Sequence, residues 1–200
     1  MNNKSLVLGS SLALILSLNA CSILSPVPTA EVKQYQIIIN QQNDNSCQAN
    51  SSSPILQVAA VTVFSPYDST NMYYSQKQYQ VNSYAQSQWA SSTSSMYTQL
   101  LTQKLQQSCI YSNVISSEYV ASANYRLVTQ LTDLKQIITK DGASMHLGFY
   151  AQLIDNKTNK VIMSKNFSEE MSVTPDIAGY INGSNVLSGK LLNDITAWLS

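Results

Sequence analysis

Charge is scarce in this chain. Only 11% of its 200 residues are Asp, Glu, Lys or Arg, against the usual quarter, and the two signs balance at 11 each. That balance removes the electrostatic footprint of a nucleic-acid binder. Serine, asparagine, glutamine and tyrosine fill the polar positions instead, which implies a weakly charged surface that adheres to partners. Histidine is nearly missing: His146 stands alone, and a zinc site would need several donors converging on it, which the spacing of thiols and carboxylates does not offer. Because His146 alternates with Met145 and Leu147, it reads as an ordinary surface residue of a strand. There is no G-x-S-x-G elbow to present a nucleophile and no glycine-rich loop to cradle phosphate. Gly183-Ser184, in INGSN, reads as a turn or helix interruption. Glu169 and Glu170, adjacent in a strand pattern, point to opposite faces and read as solvated. The expectation is a protein without catalytic residues, metal or cofactor.

Long hydrophobic runs are also lacking. The most apolar stretch, Ser5 to Ala20, is about 16 residues and falls short of the roughly 20 that a spanning helix needs. With Lys4 before it and small residues at its end, it has the layout of a signal peptide, residues 1–20. Its last residues, Leu18-Asn19-Ala20-Cys21, resemble the bacterial lipobox, so Cys21 reads as the first mature residue and the site of lipidation. Each buried methylene contributes about 0.8 kcal/mol, so several acyl chains anchor a protein almost permanently. Ser22 in place of aspartate fits sorting to the outer membrane. Residues 21–32, with Pro26 and Pro28, then read as a tether that reaches roughly 35–40 Å at about 3.3 Å per residue.

Residues 33–200 are long enough for one domain with a real core. Besides Cys21 the chain carries Cys47 and Cys109, an even number for an oxidising compartment, and either a disulfide or two unrelated thiols fits. A bond between them would close a loop of about 60 residues, contributing about 4 kcal/mol in the chain-entropy account.

Along the domain, Lys33–Asn40 reads as a first strand and Ile55–Phe64 as a second, so continuously apolar that it should be central and covered on both faces. Asn71–Tyr84 reads as a hairpin with its turn near Gln76 to Gln78. From Ser87 to Gln107 the period changes, placing Trp89, Met96, Leu100, Leu101 and Leu105 near one face of a helix. Asn124–Thr139, Ala143–Asp155 and Lys160–Met171 read as an antiparallel meander, separated by Asp141-Gly142 and by the turn Asn156 to Asn159. A C-terminal helix should be firm from about Val186, since Gly183 and Gly189 weaken its middle. The fold class is α/β: a layered domain with a mixed, largely antiparallel sheet covered by helices.

The run LQVAAVTVFSPYDS, followed by MYYSQKQYQVNSYAQSQWA and then by MYTQLLTQKL, resembles the ABC-type transport auxiliary lipoprotein family of PqiC-like outer-membrane lipoproteins. Tyr73, Tyr74, Trp89, Ala90, Leu101 and Leu105 occupy the family's hydrophobic and aromatic positions, while Ser75 and Gln88 stand where basic residues are frequent. The resemblance implies a fold similar to the amino-terminal domain of TolB. It also implies a periplasmic accessory, held in the outer membrane by its acyl chains, that works with an MCE-domain protein and an ABC transporter in lipid movement between membranes, with a homo-oligomeric ring as its assembly.

The group Tyr73, Tyr74, Tyr79, Tyr84 and Trp89 has two readings: hairpin and core packing, or a contact surface for a partner, since aromatics are enriched at interfaces. The rivals to a transport accessory are an assembly or plug lipoprotein of an outer-membrane barrel and, for want of a nucleophile and base much behind it, a lipoprotein hydrolase.

Overall fold

A computed structural model describes residues 31–39, 52–117 and 122–200. Every element below belongs to one compact unit, Val32–Ser200. In order these are β1 (Lys33–Tyr35), β2 (Ile55–Val58), β3 (Thr62–Val63), β4 (Asn71–Ser75), β5 (Asn82–Trp89), α1 (Thr93–Gln107), β6 (Asn113–Ser116), β7 (Tyr125–Ile138), β8 (Ala143–Asp155), β9 (Lys160–Val173) and α2 (Ile177–Leu199).

The strands form one mixed sheet organised by β7. On one edge β7 pairs antiparallel with β8 over its whole length, from Tyr125 opposite Asp155 to Ile138 opposite Ala143, and β9 continues the meander. Alternation explains why: Met145, Leu147, Phe149, Ala151 and Leu153 are all buried on one face of β8. The hairpin turns follow their residues, with Gly142 at φ 146° and Asn159 at φ 53°. On its other edge β7 receives β2, β3 and β4 one after another, all parallel. Antiparallel pairing dominates by length, although parallel junctions also join β2 to β6 and β1 to β5.

Both helices lie on one face. The Tyr97 ring of α1 packs edge-on against Phe149 at 5.0 Å, and α2 meets Met145 of the same strand face at Gly183. Tyr97 and Ser188 join the helices by a 2.8 Å hydroxyl hydrogen bond. The core is the layer between, including Leu56, Leu101, Leu127, Leu131, Leu187, Leu191 and Ile195.

Five local expectations are corrected. The strand expected over Ile55–Phe64 is two strands, because the chain steps out of the ladder after the Ala59 N–H bonds the Leu127 carbonyl at 2.9 Å. There the helix supplies the missing partners: the Val61 N–H donates to Thr98 Oγ1 at 2.9 Å, and Ser94 Oγ donates to the Val61 carbonyl at 2.6 Å. Nor is β2 covered on both faces, since Leu56 and Val58 are buried while Ile55 and Gln57 are half-exposed. The first strand ends at Tyr35 rather than Asn40, and among residues 36–39 only Ile37 is buried.

Helix α1 starts at Thr93 rather than Ser87. Pairing of Asn71 with Gln88 and of Tyr35 with Trp89 holds the preceding residues extended, and Ser92 caps the helix by accepting from the Ser95 N–H at 3.3 Å. Trp89 therefore lies on β5 and not on a helix. Helix α2 runs unbroken from Ile177, so Gly183-Ser184 is no interruption. A Cβ on Gly183 would fall 2.7 Å from Met145 Cβ and 2.9 Å from Val173 Cγ1, so glycine is what lets the helix approach the sheet. Ser184 is buried and donates to the Tyr180 carbonyl at 2.8 Å. Strand β6, between α1 and β7, has no counterpart in the sequence reading.

Candidate functional site

The aromatic residues singled out above gather where β4 and β5 meet the start of α2. Tyr180 is the hub: its ring lies 5.8 Å from those of both Trp89 and Tyr84. Its hydroxyl accepts from the Tyr73 N–H at 3.4 Å and donates to the Leu134 carbonyl at 3.4 Å. Tyr74 packs on Tyr84 at 4.8 Å, and Tyr67 meets Tyr73 edge-on at 5.7 Å. The Tyr73 hydroxyl shares a 2.9 Å hydrogen bond with Ser69 Oγ.

A buried amide ties this cluster to the loop before α2. The Tyr84 hydroxyl donates to Gln136 Oε1, and Gln136 Nε2 donates to the Thr174 carbonyl at 2.6 Å. Asp176 then caps α2, accepting from the Gly179 N–H at 2.8 Å and from Thr174 Oγ1 at 2.7 Å. These bonds hold its carboxyl below the usual carboxylate range. At the other end, Thr93 Oγ1 donates to the Tyr67 carbonyl at 2.6 Å, fixing the start of α1. The cluster thus positions both helix starts.

Its chemistry is that of neutral donors. Burial pushes the phenols of Tyr67, Tyr97 and Tyr180 upward, and burial beside Tyr74 pushes Tyr84 up to about 12. Phenols so shifted stay protonated at physiological pH and do not act as bases. Among the described residues no three His, Cys, Asp or Glu side chains converge as a metal site would require.

The candidate partner-binding residues separate by exposure. Trp89, expected with Tyr73 and Tyr74 to meet a partner, is 0% exposed and belongs to the core. Tyr73 and Tyr74 are half-buried, whereas Tyr79, at the turn between β4 and β5, is 95% exposed with φ 65°. Cys21 and Cys47 lie outside the described residues. Cys109 is disulfide-bonded.

His146 sits on the face away from the helices. Its Nε2 lies 2.7 Å from Ser144 Oγ and 3.4 Å from Glu170 Oε1, across a strand pair from Lys135, which pairs with Asp133 at 2.7 Å. Glu169 and Glu170 do point to opposite faces, but Glu169 is not solvated. It is buried beneath α2 and paired with Lys190, whose ammonium this bond holds above its ordinary range. The signal was present: Glu169 shares strand parity with Phe167 and Met171, the inward residues of β9. Tyr180 and Gln136, by contrast, gain their roles from contacts across the chain that no local pattern marks.

On the outer side of the helices a groove of about 710 Å³ runs between α1 and α2, lined by Leu100, Lys104, Val186 and Lys190 together with Ile38 and Ile39. Among the described residues no helix is long and apolar enough to cross a membrane.

The described residues thus form a helix-covered mixed sheet with a tyrosine cluster packed at the helix starts. A family model for the ABC-type transport auxiliary lipoprotein component matches residues 35–196, and the chain belongs to that family. Its members are non-catalytic auxiliaries of ABC-type transport systems. No curated protein matches the chain. Among solved structures it resembles protein XCC0632 from Xanthomonas campestris, at 14% identity and TM-score 0.68, covering 86% of this chain and 91% of that one. A second crystal structure, of an uncharacterized protein, gives 13% identity and TM-score 0.66 over 86% of this chain and all of the other. A putative neuraminyllactose-binding hemagglutinin homolog from Helicobacter pylori gives 10% identity and TM-score 0.50 over 83% and 92%. At these identities the likeness is one of fold.

Proposed function

We propose that this chain is an outer-membrane-anchored periplasmic lipoprotein that serves an MCE and ABC-type system moving lipid between the two membranes. The family match over residues 35–196 carries the reading. The Leu18 to Cys21 motif and Ser22 support an acylated Cys21 that holds the protein in the outer membrane, with residues 1–20 removed and residues 21–32 as tether. The helix-covered mixed sheet is consistent with a fold akin to the amino-terminal domain of TolB. The domain works by holding a partner in place. Of the aromatic group, Tyr74 and Tyr79 keep surface for that partner, while Trp89 and Tyr73 hold the hairpin that presents them. Cys47 is the proposed partner of Cys109, which a peptide map of the unreduced protein checks directly.

Crosslinking in intact cells tests the reading. Recovery of an MCE-domain protein supports it, and recovery of an outer-membrane barrel alone replaces it with the plug or assembly role. Labelling with a palmitate analogue should be lost in Cys21→Ser. The double substitution Tyr74→Ala, Tyr79→Ala should reduce co-purification of the MCE protein several-fold with little change in thermal midpoint.

A further inference from the structure

Three glycines fall within α2, and packing accounts for two of them. A Cβ on Gly179 would strike the Thr174 carbonyl oxygen, and one on Gly183 would strike Met145 and Val173. Gly189 differs. The nearest atom to a Cβ there is Ile39 Cγ2 at 4.0 Å, an ordinary contact distance. Packing therefore does not ask for glycine at this place, and alanine would be the better helix former. What the missing side chain does is keep open the groove between α1 and α2, whose lining includes Gly189.

One wall of that groove is pinned. After β1 the chain crosses α2, where the Ile38 N–H donates to Asn185 Oδ1 at 2.7 Å and Asn185 Nδ2 donates to the Ile181 carbonyl at 2.8 Å. Ile38 and Val186 nevertheless stay 63% and 50% exposed beside the cleft. Its volume, about 710 Å³, is that of a small-molecule site.

The lining is apolar at one end and cationic at the other. On α1 Lys104 follows Leu100 by four residues, and on α2 Lys190 follows Val186 by four, so each lysine lies one turn further along the same face. The helices also share a direction. Strands β6 and β9 run with β7, so α1, which ends where β6 starts, and α2, which begins where β9 ends, both run against it. No Asp or Glu lines the groove among the described residues. Lys190 is already matched by Glu169 beneath the helix and is further acted on by Asp194, so it adds little net charge. Lys104, in the last turn of α1, makes no ion pair among the described residues and is the cation left to attract a ligand.

We propose that this groove holds a single-chain anionic lipid. The alkyl chain lies along Ile38, Ile39, Leu100 and Val186 over Gly189, and its carboxylate or phosphate meets Lys104. A partner helix fits less well, because it needs an apolar trough for anchors at i, i+3, i+4 and i+7. Of the residues that α1 contributes to the lining, only Leu100 is apolar. The proposal deepens the transport reading and rests on it for a supply of such lipid. Binding is read on the purified chain, so it can fail while crosslinking to the MCE-domain protein succeeds, and the reverse.

The test uses the full lipidated protein in phosphatidylcholine vesicles, with a diazirine-bearing palmitate as probe. Adducts should fall on the peptides that carry Leu100 and Val186. Gly189→Phe fills the groove and should cut labelling about tenfold; Lys104→Glu should cut it about fivefold while sparing the uncharged palmityl alcohol analogue. Gly189→Ala controls for folding, with a thermal midpoint equal to the parent's or above it. Lys104→Glu carries the test if Gly189→Phe does not fold. Adducts confined to residues 21–32, labelling indifferent to the substitutions, equal loss of acid and alcohol in Lys104→Glu, or displacement by an acidic helical peptide but not by oleate would each overturn the proposal.

Discussion

Along one edge of β7 the chain lays a single partner, β8, from Tyr125 to Ile138; along the other it lays three short ones, β2, β3 and β4, with gaps between them. The first edge is a local product. A glycine turn folds β8 straight back, and a strict alternation of apolar residues fixes its register. The second edge is assembled from segments more than 60 residues away, with helix side chains bonding the backbone at Val61 and Tyr73. Ser94 and Thr98 of α1 bond the backbone of Val61 where β2 gives way to β3. The ladder is therefore continuous where sequence neighbours meet, while on the distant side helix side chains complete the hydrogen bonds at the break between β2 and β3.

Substitutions on each side of β7 test that contrast. The largest effect should come from Trp89→Ala on the distant side, where a fully buried ring against Tyr180 is removed; the cost should be about 3–5 kcal/mol by chemical denaturation. A surface role for Trp89 would instead leave stability within about 0.5 kcal/mol of the parent. Next is Gly183→Ala, which drives a methyl into Met145 and Val173 on the meander side and should cost about 1–3 kcal/mol. Thr98→Val keeps the shape of the side chain but strands the buried Val61 N–H, so we expect a loss of about 1–2 kcal/mol. If Thr98→Val proves neutral, the helix is not what completes the distant edge.

The smallest effect should be a pH dependence at the cap of α2. The Asp176 carboxyl titrates below its ordinary value of 3.8 in the folded protein, so its stabilisation is fully present above the ordinary carboxylate range. It is lost as pH falls through the lowered folded value. Asp176→Ala should therefore lower the thermal midpoint near pH 7 and converge with the parent in acid.

The same contrast explains what the sequence disclosed. The meander was legible almost to the residue, with β8 observed at Ala143–Asp155 as expected, because alternation and turn chemistry are local. The break in Ile55–Phe64, the late start of α1 and strand β6 were not legible, because each is decided by a partner far along the chain. Glycine misled for the same reason. At Gly183 helix propensity argued for a weak point, while close approach to the sheet required the absence of a side chain. In the candidate site the hairpin tyrosines could be named, but Tyr180, which gathers them, comes from the other end of the chain. Residue alternation could have placed Glu169 inward; nothing local could have supplied Lys190.

The position of β7 in the chain also sets an order of events. It is the strand on which β2, β3, β4 and β8 all close, yet it begins only at Tyr125. A chain emerging amino-terminus first must hold its earlier strands without their central neighbour until that point, leaving Leu56, Val58 and Met72 uncovered meanwhile. Non-local parallel closure is slow and leaves apolar chain open to aggregation. The first half of this domain therefore stays open longest as the chain emerges, a consequence of where one strand falls in the polypeptide.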